Sequence, residues 1–373
     1  MLSQRLSTYY RLCSYCLSRQ LAKTKRIATI SRVKQAGGLD ECYICSGLMS
    51  VIDLIVEKMV VDVERKYEFS SFLIGLTIPT QIYEREDQIR ARFKIRGRES
   101  IKKEVVNEIG SRFKKITKKR LEHHLPDIRI NIIIDNNNDF CITARASPLI
   151  LSGRYIKRCR GLPQKKVRCI QCSEKEGNIC SHFEPSADKT IEDIITTRLL
   201  LITNGEKPKF LWLGSEDPDS LVLGKGRPFF MHISNPKVRS IKTNLKFRTN
   251  GVVTTIYGML EHLPKLPIQF ITKTKILVHS SISISKFDLR KLKALKNSVV
   301  KFEIKSRIVK KKIYSVKTRQ INEKEFSVTL MADGGFVIKQ FVGAQRYVEP
   351  SVSKIIGATC ECTLFDILDV IIQ

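Results

Sequence analysis

Two CxxC sequences near the start of this 373-residue chain constrain its fold more than any other feature. They read Cys13-Ser-Tyr-Cys16 and Cys42-Tyr-Ile-Cys45, and residues 17–41 separate them. A structural zinc ion takes four soft ligands, supplied as two close pairs on tight turns. The spacing therefore predicts a closed zinc site on Cys13, Cys16, Cys42 and Cys45, with four unrelated buried cysteines as the alternative. Four thiolates leave no open coordination position, which argues against a zinc-dependent hydrolase.

The chain has eleven cysteines in all, and a second group of them lies near its middle. Cys169, Cys172 and Cys180, with His182 nearby, have an irregular spacing that allows either a second zinc site or plain loop cysteines. A disulfide framework is not expected, because the cytosol keeps thiols reduced.

The charge balance indicates a polyanionic partner. Lys and Arg number 66 against 37 acidic residues, a formal net charge of +29, which suits nucleic acid or an anionic membrane surface better than a merely basic background. No stretch of about 18 uncharged apolar residues could cross a membrane. The most apolar segment, 48–60, is interrupted by Asp53, Glu57 and Lys58. The N-terminus also lacks the apolar core of a signal peptide. We therefore predict a cytoplasmic protein that binds nucleic acid and no membrane.

The apolar periodicity divides the chain into three parts and predicts an α+β protein. A zinc-binding module covers 1–65 and includes a helical segment over 48–63. A mixed α and β unit covers 66–152, with strands over 72–78, 128–134 and 140–144. The third part, 153–373, has a helix over 191–202 and is otherwise dominated by alternating segments that predict a mostly antiparallel sheet.

A one-sided basic helix is predicted over 101–121. Its apolar residues recur at helical spacing at Ile101, Val105, Ile109, Phe113 and Ile116. Only two acids lie among the bases on its other faces, which suggests contact with phosphates rather than an ordinary solvated face. These bases are Lys102, Lys103, Arg112, Lys114, Lys115, Lys118, Lys119 and Arg120.

An acidic loop is the best candidate for catalysis. Glu216, Asp217 and Asp219 stand close together among glycines and prolines, shortly before Lys225 and Arg227. Such carboxylates could bind Mg²⁺, act as a nucleophile or general base, or form only a polar turn. The sequence has neither a phosphate-binding GxxxxGK[ST] loop nor a GxGxxG element in a strand–helix context.

Ordered motifs along nearly the whole chain resemble the archaeal-type tRNA pseudouridine-54/55 synthases. The paired CxxC sites are similar to the zinc module of that family. The other similar segments are 72–75, 84–86, 99–102 and 107–110 in the THUMP-containing part, and 153–157, 160–164, 214–217, 224–229, 334–339 and 350–353 in the catalytic part.

The resemblance implies a zinc-bearing, THUMP-containing N-terminal region, with the zinc module over 1–65 and the THUMP-containing domain that engages tRNA over 66–152, followed by a pseudouridine-synthase catalytic domain over 153–373. It implies that Asp217, the Asp of a G-R-E-D pattern, is the nucleophile, and that Arg227, Phe336 and Lys339 line the substrate pocket. The partner would be tRNA, and the chemistry needs no organic cofactor. No protein partner is predicted.

The chain departs from the family pattern at three positions. Ser215 replaces an arginine of the family, and Lys275 and Val337 stand at the places of two tyrosines. Phe336 is adjacent to Val337 and could supply a ring. These departures leave a catalytically weakened or inactive tRNA-binding homologue as the alternative function.

Overall fold

The computed structural model describes residues 2–21, 41–96, 98–165, 190–304, 306–344 and 347–373. The second cysteine group, whose spacing allows either a second zinc site or plain loop cysteines, lies outside these ranges. The chain forms two compact units, one of Met1–Pro148 with Ser234–Ser240 and one of Leu149–Ile233 with Ile241–Gln373. The three-part division at residues 65 and 152 stays a prediction.

The first unit combines five helices with a four-stranded sheet among its described residues. The helices are α1 Leu2–Tyr9, α2 Ser14–Gln20, α3 Ile52–Met59, α4 Thr80–Arg92 and α5 Ile101–Thr117, and a single π-helical turn, Val60–Glu64, follows α3. The strands are β1 Ser71–Thr77, β2 Arg120–Leu121, β3 Ile128–Ile134 and β4 Phe140–Ala146. In the sheet order β2-β1-β3-β4, β1 is parallel to β2 and β3, and β4 is antiparallel to β3.

Local sequence explains the helix and strand that carry most of this unit's core. Ser100 caps α5 by accepting a hydrogen bond from the backbone N–H of Lys103, and Lys118 ends the helix at a φ of 60°. Its residues Ile101, Val105, Ile109 and Phe113 are buried, as predicted. Ile116 is 57% exposed, which corrects the prediction: the buried face of α5 ends at Phe113. Strand β3 alternates buried and exposed residues along its whole length.

The second unit is dominated by a large sheet. Its strands are β5 Leu149–Lys157, β6 Glu206–Trp212, β7 Val222–Ser234, β8 Leu245–Thr249, β9 Val252–Leu260, β10 Phe270–Ser280, β11 Val299–Ile304, β12 Arg307–Gln320, β13 Glu325–Asp333, β14 Val348–Glu349 and β15 Cys360–Ile372. Its helices are α6 Ile191–Thr203, α7 Lys286–Lys291, α8 Ile338–Gly343 and α9 Val352–Ile356, and a 3₁₀ turn, Leu292–Leu295, follows α7.

Strand pairing in this sheet is almost entirely antiparallel. The described strands run in the order β14-β11-β12-β13-β10-β15-β7-β5-β9-β8, and β6 pairs with β7. Along this order only β15 and β7 pair in parallel. The prediction of an α+β fold with a mostly antiparallel sheet in the C-terminal part of the chain is therefore confirmed. Within the described ranges, no helix is long and apolar enough to span a membrane.

Candidate active site

The acidic loop lies between β6 and β7, and a glycine shapes its entrance. Gly214 has a φ of +80°, a backbone conformation that L side chains rarely adopt. A Cβ atom at this position would lie 2.6 Å from Nη1 of Arg227. Glycine is therefore required both for the turn and for the close approach of the arginine beneath it.

Arg227 lies beneath the acidic loop and holds it in place through hydrogen bonds. Its side chain is 1% exposed and donates from Nη1 to the carbonyl of Leu213 at 2.6 Å and from Nη2 to that of Ser215 at 3.1 Å. Its Nε donates to Oε2 of Glu216 at 3.0 Å. Three of the guanidinium's N–H donors are thus used to hold the backbone and carboxylate of the loop. Arg227 reaches the loop from β7, the strand that follows it.

Glu216 and Lys157 form a second, fully buried layer under the loop. Both side chains are 0% exposed, and Oε1 of Glu216 lies 3.5 Å from Nζ of Lys157. The ammonium donates to the carbonyls of Asp217 at 3.2 Å and of Pro218 at 2.9 Å. Tyr155 donates from its hydroxyl to Oε2 of Glu216 at 2.9 Å. Desolvation by burial lowers the pKa of Lys157, and the nearby Glu216 carboxylate opposes that shift.

The neighbouring carboxylate, Asp217, points the other way. Its side chain is 40% exposed, and its Oδ2 lies 2.7 Å from Nζ of Lys339, at the start of α8. A hydrogen bond to Asp217 raises the pKa of Lys339, so the ammonium stays charged at neutral pH. The loop therefore separates its two acids: Glu216 is buried to hold the loop, and Asp217 is presented to solvent beside a cation.

Asp217 opens into a cavity of about 250 Å³ in the second unit. Aromatic and aliphatic side chains form much of its wall, with two threonines of β10. Its lining residues are Gly214, Ser215, Glu216, Asp217, Arg227, Phe270, Thr272, Thr274, Gly335, Phe336, Val337, Ile338, Lys339, Phe365 and Ile367. A carboxylate beside an apolar, aromatic cavity can act as a nucleophile on a flat ring held by stacking.

The four residues predicted for this site, Asp217, Arg227, Phe336 and Lys339, all line the cavity. Their predicted roles in binding and catalysis are not tested by this proximity alone. Arg227 is largely engaged with the loop, so its geometry suits positioning of the loop more than contact with a substrate. The Phe336 ring packs edge-on against Phe302 and Phe341, with centroids 4.9 and 5.0 Å apart, and is thereby fixed in place.

The family resemblance places Lys275 at the position of a tyrosine, but the structure does not place Lys275 at the cavity. Lys275 is exposed and does not line the cavity, whereas Phe270, Thr272 and Thr274 of the same strand do. Strand alternation gives the reason, because neighbouring residues on β10 point to opposite faces. Phe270 and Phe365 were not predicted from the sequence. The alternation of side chains along β10 puts Phe270, Thr272 and Thr274 on the same face of the strand. The sequence did not show which face of β10 points toward the cavity.

The first unit holds the cysteine cluster predicted from the CxxC pairs. Cys13, Cys16, Cys42 and Cys45 are all buried, and their Sγ atoms lie within 4.8 Å of one another. The Sγ atoms of Cys13 and Cys45 are 3.8 Å apart. A tetrahedral zinc with Zn–S bonds of about 2.3 Å needs S···S edges of about 3.8 Å. The cluster could therefore hold a zinc ion.

A buried arginine lies beside the cluster. Hydrogen bonds among the four thiols lower the pKa of Cys42 and Cys45 and raise the pKa of Cys16. Arg19, whose side chain is buried, lies with Nη2 3.5 Å from Sγ of Cys16 and with Nε 2.6 Å from Oε1 of Glu86 on α4. A nearby guanidinium offsets the negative charge of a four-thiolate site and orients its ligands. The described cluster presents no His or carboxylate ligand, and four thiolates fill a tetrahedral site.

Comparison with known proteins identifies the family of this chain. Residues 150–371 match the family model described as "Pus10, C-terminal". Residues 55–135 match the model described as "Pus10 THUMP domain, archaeal". The C-terminal match covers the acidic loop, the cavity and Lys339. The chain belongs to the Pus10 family.

Curated Pus10 relatives align with nearly the whole chain. The tRNA pseudouridine synthase Pus10 of Nitrosopumilus maritimus is 33% identical, covering 97% of this chain and 95% of that protein. The protein of the same name from Cenarchaeum symbiosum is 28% identical, covering 98% and 90%. Among solved structures, a chain of a Cbf5-Nop10-Gar1 complex aligns with 48% of this chain and with 45% of its own length, at 11% sequence identity. The TM-score of 0.30 is too low to support an inference. Pus10 proteins are isomerases.

Proposed function

We propose that this Pus10 protein isomerises uridine to pseudouridine in the T loop of tRNA, at positions 54, 55 or both, with Asp217 as the nucleophile. The observation that carries the proposal is the pairing of Asp217 with Lys339 at 2.7 Å, beside a cavity walled by aromatic rings within the Pus10 C-terminal match. The names of the curated relatives support tRNA as the substrate.

The chemistry follows from what the residues can supply. A uridine in a folded loop must swing out before its glycosidic bond can be reached. The Asp217 carboxylate then attacks either the ribose or the base and forms a covalent bond to it, the N1–C1′ bond breaks, and the base rotates. A C5–C1′ bond forms, and the bond from Asp217 to the ribose or base breaks, which releases the carboxylate. C5 loses its proton, and N1 gains one. Atoms and electrons balance within the uridine, so the reaction requires no redox cofactor and no ATP.

Three other residues of the cavity have definite parts in this proposal. Lys339 orients Asp217 by charge attraction and hydrogen bonding. Phe336, fixed by its two ring neighbours, offers an apolar surface to the swung-out base, and base–aromatic stacking is worth about 1–3 kcal/mol. Arg227 keeps the loop in shape from below. Contacts with the cavity wall hold and orient the uridine, while the Asp217 carboxylate acts as the nucleophile.

We further propose that tRNA phosphates contact the basic face of α5. Its exposed bases include Lys102, Lys114, Lys115 and Lys118. Arg112 contributes less than predicted, because it pairs with Asp53 and Glu108. An RNA-binding, tRNA-modifying protein of this kind acts in the cytoplasm.

Pseudouridine mapping tests this function. We expect purified protein to introduce a carbodiimide-dependent reverse-transcription stop in the T loop of an unmodified tRNA transcript. Transcripts carrying cytidine at position 54 or at position 55 show which uridine is the target. If no stop forms although the tRNA binds tightly and in a salt-sensitive way, the chain is the tRNA-binding homologue instead.

We also propose that Cys13, Cys16, Cys42 and Cys45 hold one structural zinc ion. The Cys42→Ser variant should contain one zinc equivalent less per chain than the parent protein, because a site with three thiolates binds far more weakly. Elemental analysis of the purified proteins measures this difference. The matched control is Cys141→Ser, which alters an exposed cysteine outside the cluster and should keep the parental zinc content. Equal zinc in the parent and in Cys42→Ser would contradict the site.

A further inference from the structure

A second cavity, of about 350 Å³, lies next to the catalytic one in the second unit. Ligand pockets for small organic molecules span about 300–1,000 Å³, so this volume is at the lower end and suits a single ring system. The proposed reaction uses none of its polar residues. The lining residues are Pro267, Ile268, Gln269, Phe270, Lys311, Tyr314, Asp333, Gly334 and Gln373.

Phe270 is the wall that the two cavities share, since it lines both of them. The tip of its ring lies over Gly334, where an added Cβ would come within 2.4 Å of the ring atoms. The same tip lies near Gly214 on the catalytic side, 3.4 Å from where a Cβ would be. Glycine at position 334 therefore leaves space for an aromatic ring to stand between the two cavities. The chain crosses from one cavity to the other between Gly334 and Gly335.

Tyr314 gives the second cavity an ordered aromatic side. Its hydroxyl donates to Oδ1 of Asp333 at 2.8 Å, and the backbone N–H of Lys312 donates to Oδ2 of the same carboxylate at 2.7 Å. Both carboxylate oxygens of Asp333 thus accept a hydrogen bond within the protein, and the bond from the hydroxyl holds the Tyr314 ring in place. A fixed ring is a stacking surface that loses little conformational entropy when a base binds.

Lys311 supplies positive charge at the same cavity. Its Nζ donates to the carbonyl of Gly334 at 2.6 Å, which places the ammonium at the junction of the two cavities. An ammonium has three donors, so one such bond leaves donors for a phosphate oxygen. The cavity therefore offers what a nucleotide needs: a ring for its base and a cation for its phosphate.

We propose that this second cavity binds the base of the nucleotide adjacent to the target uridine, with Phe270 inserted between the two bases. The proposal rests on the function proposed above. Side chains inserted between neighbouring bases unstack them and hold them apart. Unpaired RNA bases are commonly held on aromatic side chains in this way. The enzyme would then recognise two adjacent loop nucleotides in two neighbouring cavities.

A double-mutant cycle between protein and RNA tests this site. Full-length tRNA is assembled by ligation with an abasic residue on the 5′ side or on the 3′ side of the target uridine. We expect Tyr314→Ala to lower kcat/KM on intact tRNA by about 5-fold to 150-fold, the range for stacking of one base. One of the two abasic tRNAs should lower kcat/KM of the parent protein similarly. Combining that tRNA with Tyr314→Ala should add little further loss.

Controls separate a local effect from a general one. Tyr314→Phe keeps the ring and should retain most of the coupling with the missing base. Lys317→Met removes an exposed charge from the same strand and should behave as the parent protein. Filter-binding affinities for the same pairs provide a readout that needs no turnover.

Three outcomes overturn the second site. They are parental activity and affinity in Tyr314→Ala, losses that simply add with both abasic tRNAs, and an equal loss in Lys317→Met. If the parent protein makes no pseudouridine on intact tRNA, the proposed function fails, and the coupling of filter-binding affinities still decides whether the neighbouring base is bound.

Discussion

Asp217→Asn is expected to abolish pseudouridine formation while leaving tRNA affinity within about twofold of the parent value. The amide has nearly the shape of the carboxylate, but it is neutral and a poor nucleophile. Loss of a covalent nucleophile in other enzymes lowers turnover by several orders of magnitude, so we expect a decrease of at least about 10⁴-fold. Single-turnover pseudouridine mapping and filter binding on the same preparation measure both quantities.

Asp219→Asn is the matched control for this variant. Asp219 belongs to the same acidic loop, is exposed, and does not line the catalytic cavity. The control should keep activity within a fewfold of the parent. Full activity in Asp217→Asn would assign the chemistry to another residue. Equal loss in both variants would mean that the loop, rather than one carboxylate, is being damaged.

The second large effect is expected from the buried charges beneath the loop. Glu216→Gln removes the negative charge that Lys157 and Arg227 share, at 3.5 and 3.0 Å. Both cations are then left buried without a counter-charge. Breaking a buried ion pair by removing one partner costs about 3–5 kcal/mol, so we expect the free energy of unfolding of the second unit to fall by about that amount.

Lys157→Met should cost less than Glu216→Gln. The remaining Glu216 still accepts hydrogen bonds from Arg227 and Tyr155, and methionine fills much of the lysine's volume. The loss then comes mainly from the carbonyls of Leu162, Asp217 and Pro218, which lose a buried donor. Because the carbonyls of Asp217 and Pro218 belong to the acidic loop that carries the proposed nucleophile, activity at a temperature where the variant is folded should also decrease.

Urea unfolding followed by tryptophan fluorescence measures these changes. The chain's single tryptophan, Trp212, lies at the end of β6 in the second unit, just before the loop. Lys225→Met is the matched control, since Lys225 is exposed on β7, the strand that carries Arg227, and such surface changes usually stay within about 0.5 kcal/mol. If Lys157→Met destabilises the protein more than Glu216→Gln does, the carboxylate is not the centre of this network.

Local sequence alone predicted much of the secondary structure. The alternation over 128–134 predicted a strand of the observed length. The apolar spacing from Ile101 predicted which face of α5 is buried. These features depend on neighbours within a few positions along the chain, which is the information that periodicity contains. The end of α5 was missed because a left-handed Lys118 gives no signal in the pattern.

The sequence also singled out, before any geometry was known, residues that the fold brings together. The two CxxC pairs indicated the four cysteines that lie in one cluster, because structural zinc sites are typically built from two such close pairs. Ordered motifs singled out Asp217, Arg227, Phe336 and Lys339, and all four line one cavity. Strand order in the large sheet was beyond reach, because pairing between strands far apart in sequence depends on the whole fold.

The tertiary structure decided which acidic side chains of the loop are buried and which basic residues lie next to each of them. Glu216 and Asp217 are adjacent in sequence and belong to one acidic loop, yet the side chain of Glu216 is fully buried and that of Asp217 faces a cavity. That difference depends on Lys157 and Arg227, which strands β5 and β7 carry beneath the loop, and on Lys339, which α8 carries beside it. The sequence determined which residue types are present and their local conformation. Burial and long-range contacts, which set the charge environment of each group, come only from the packing of distant segments.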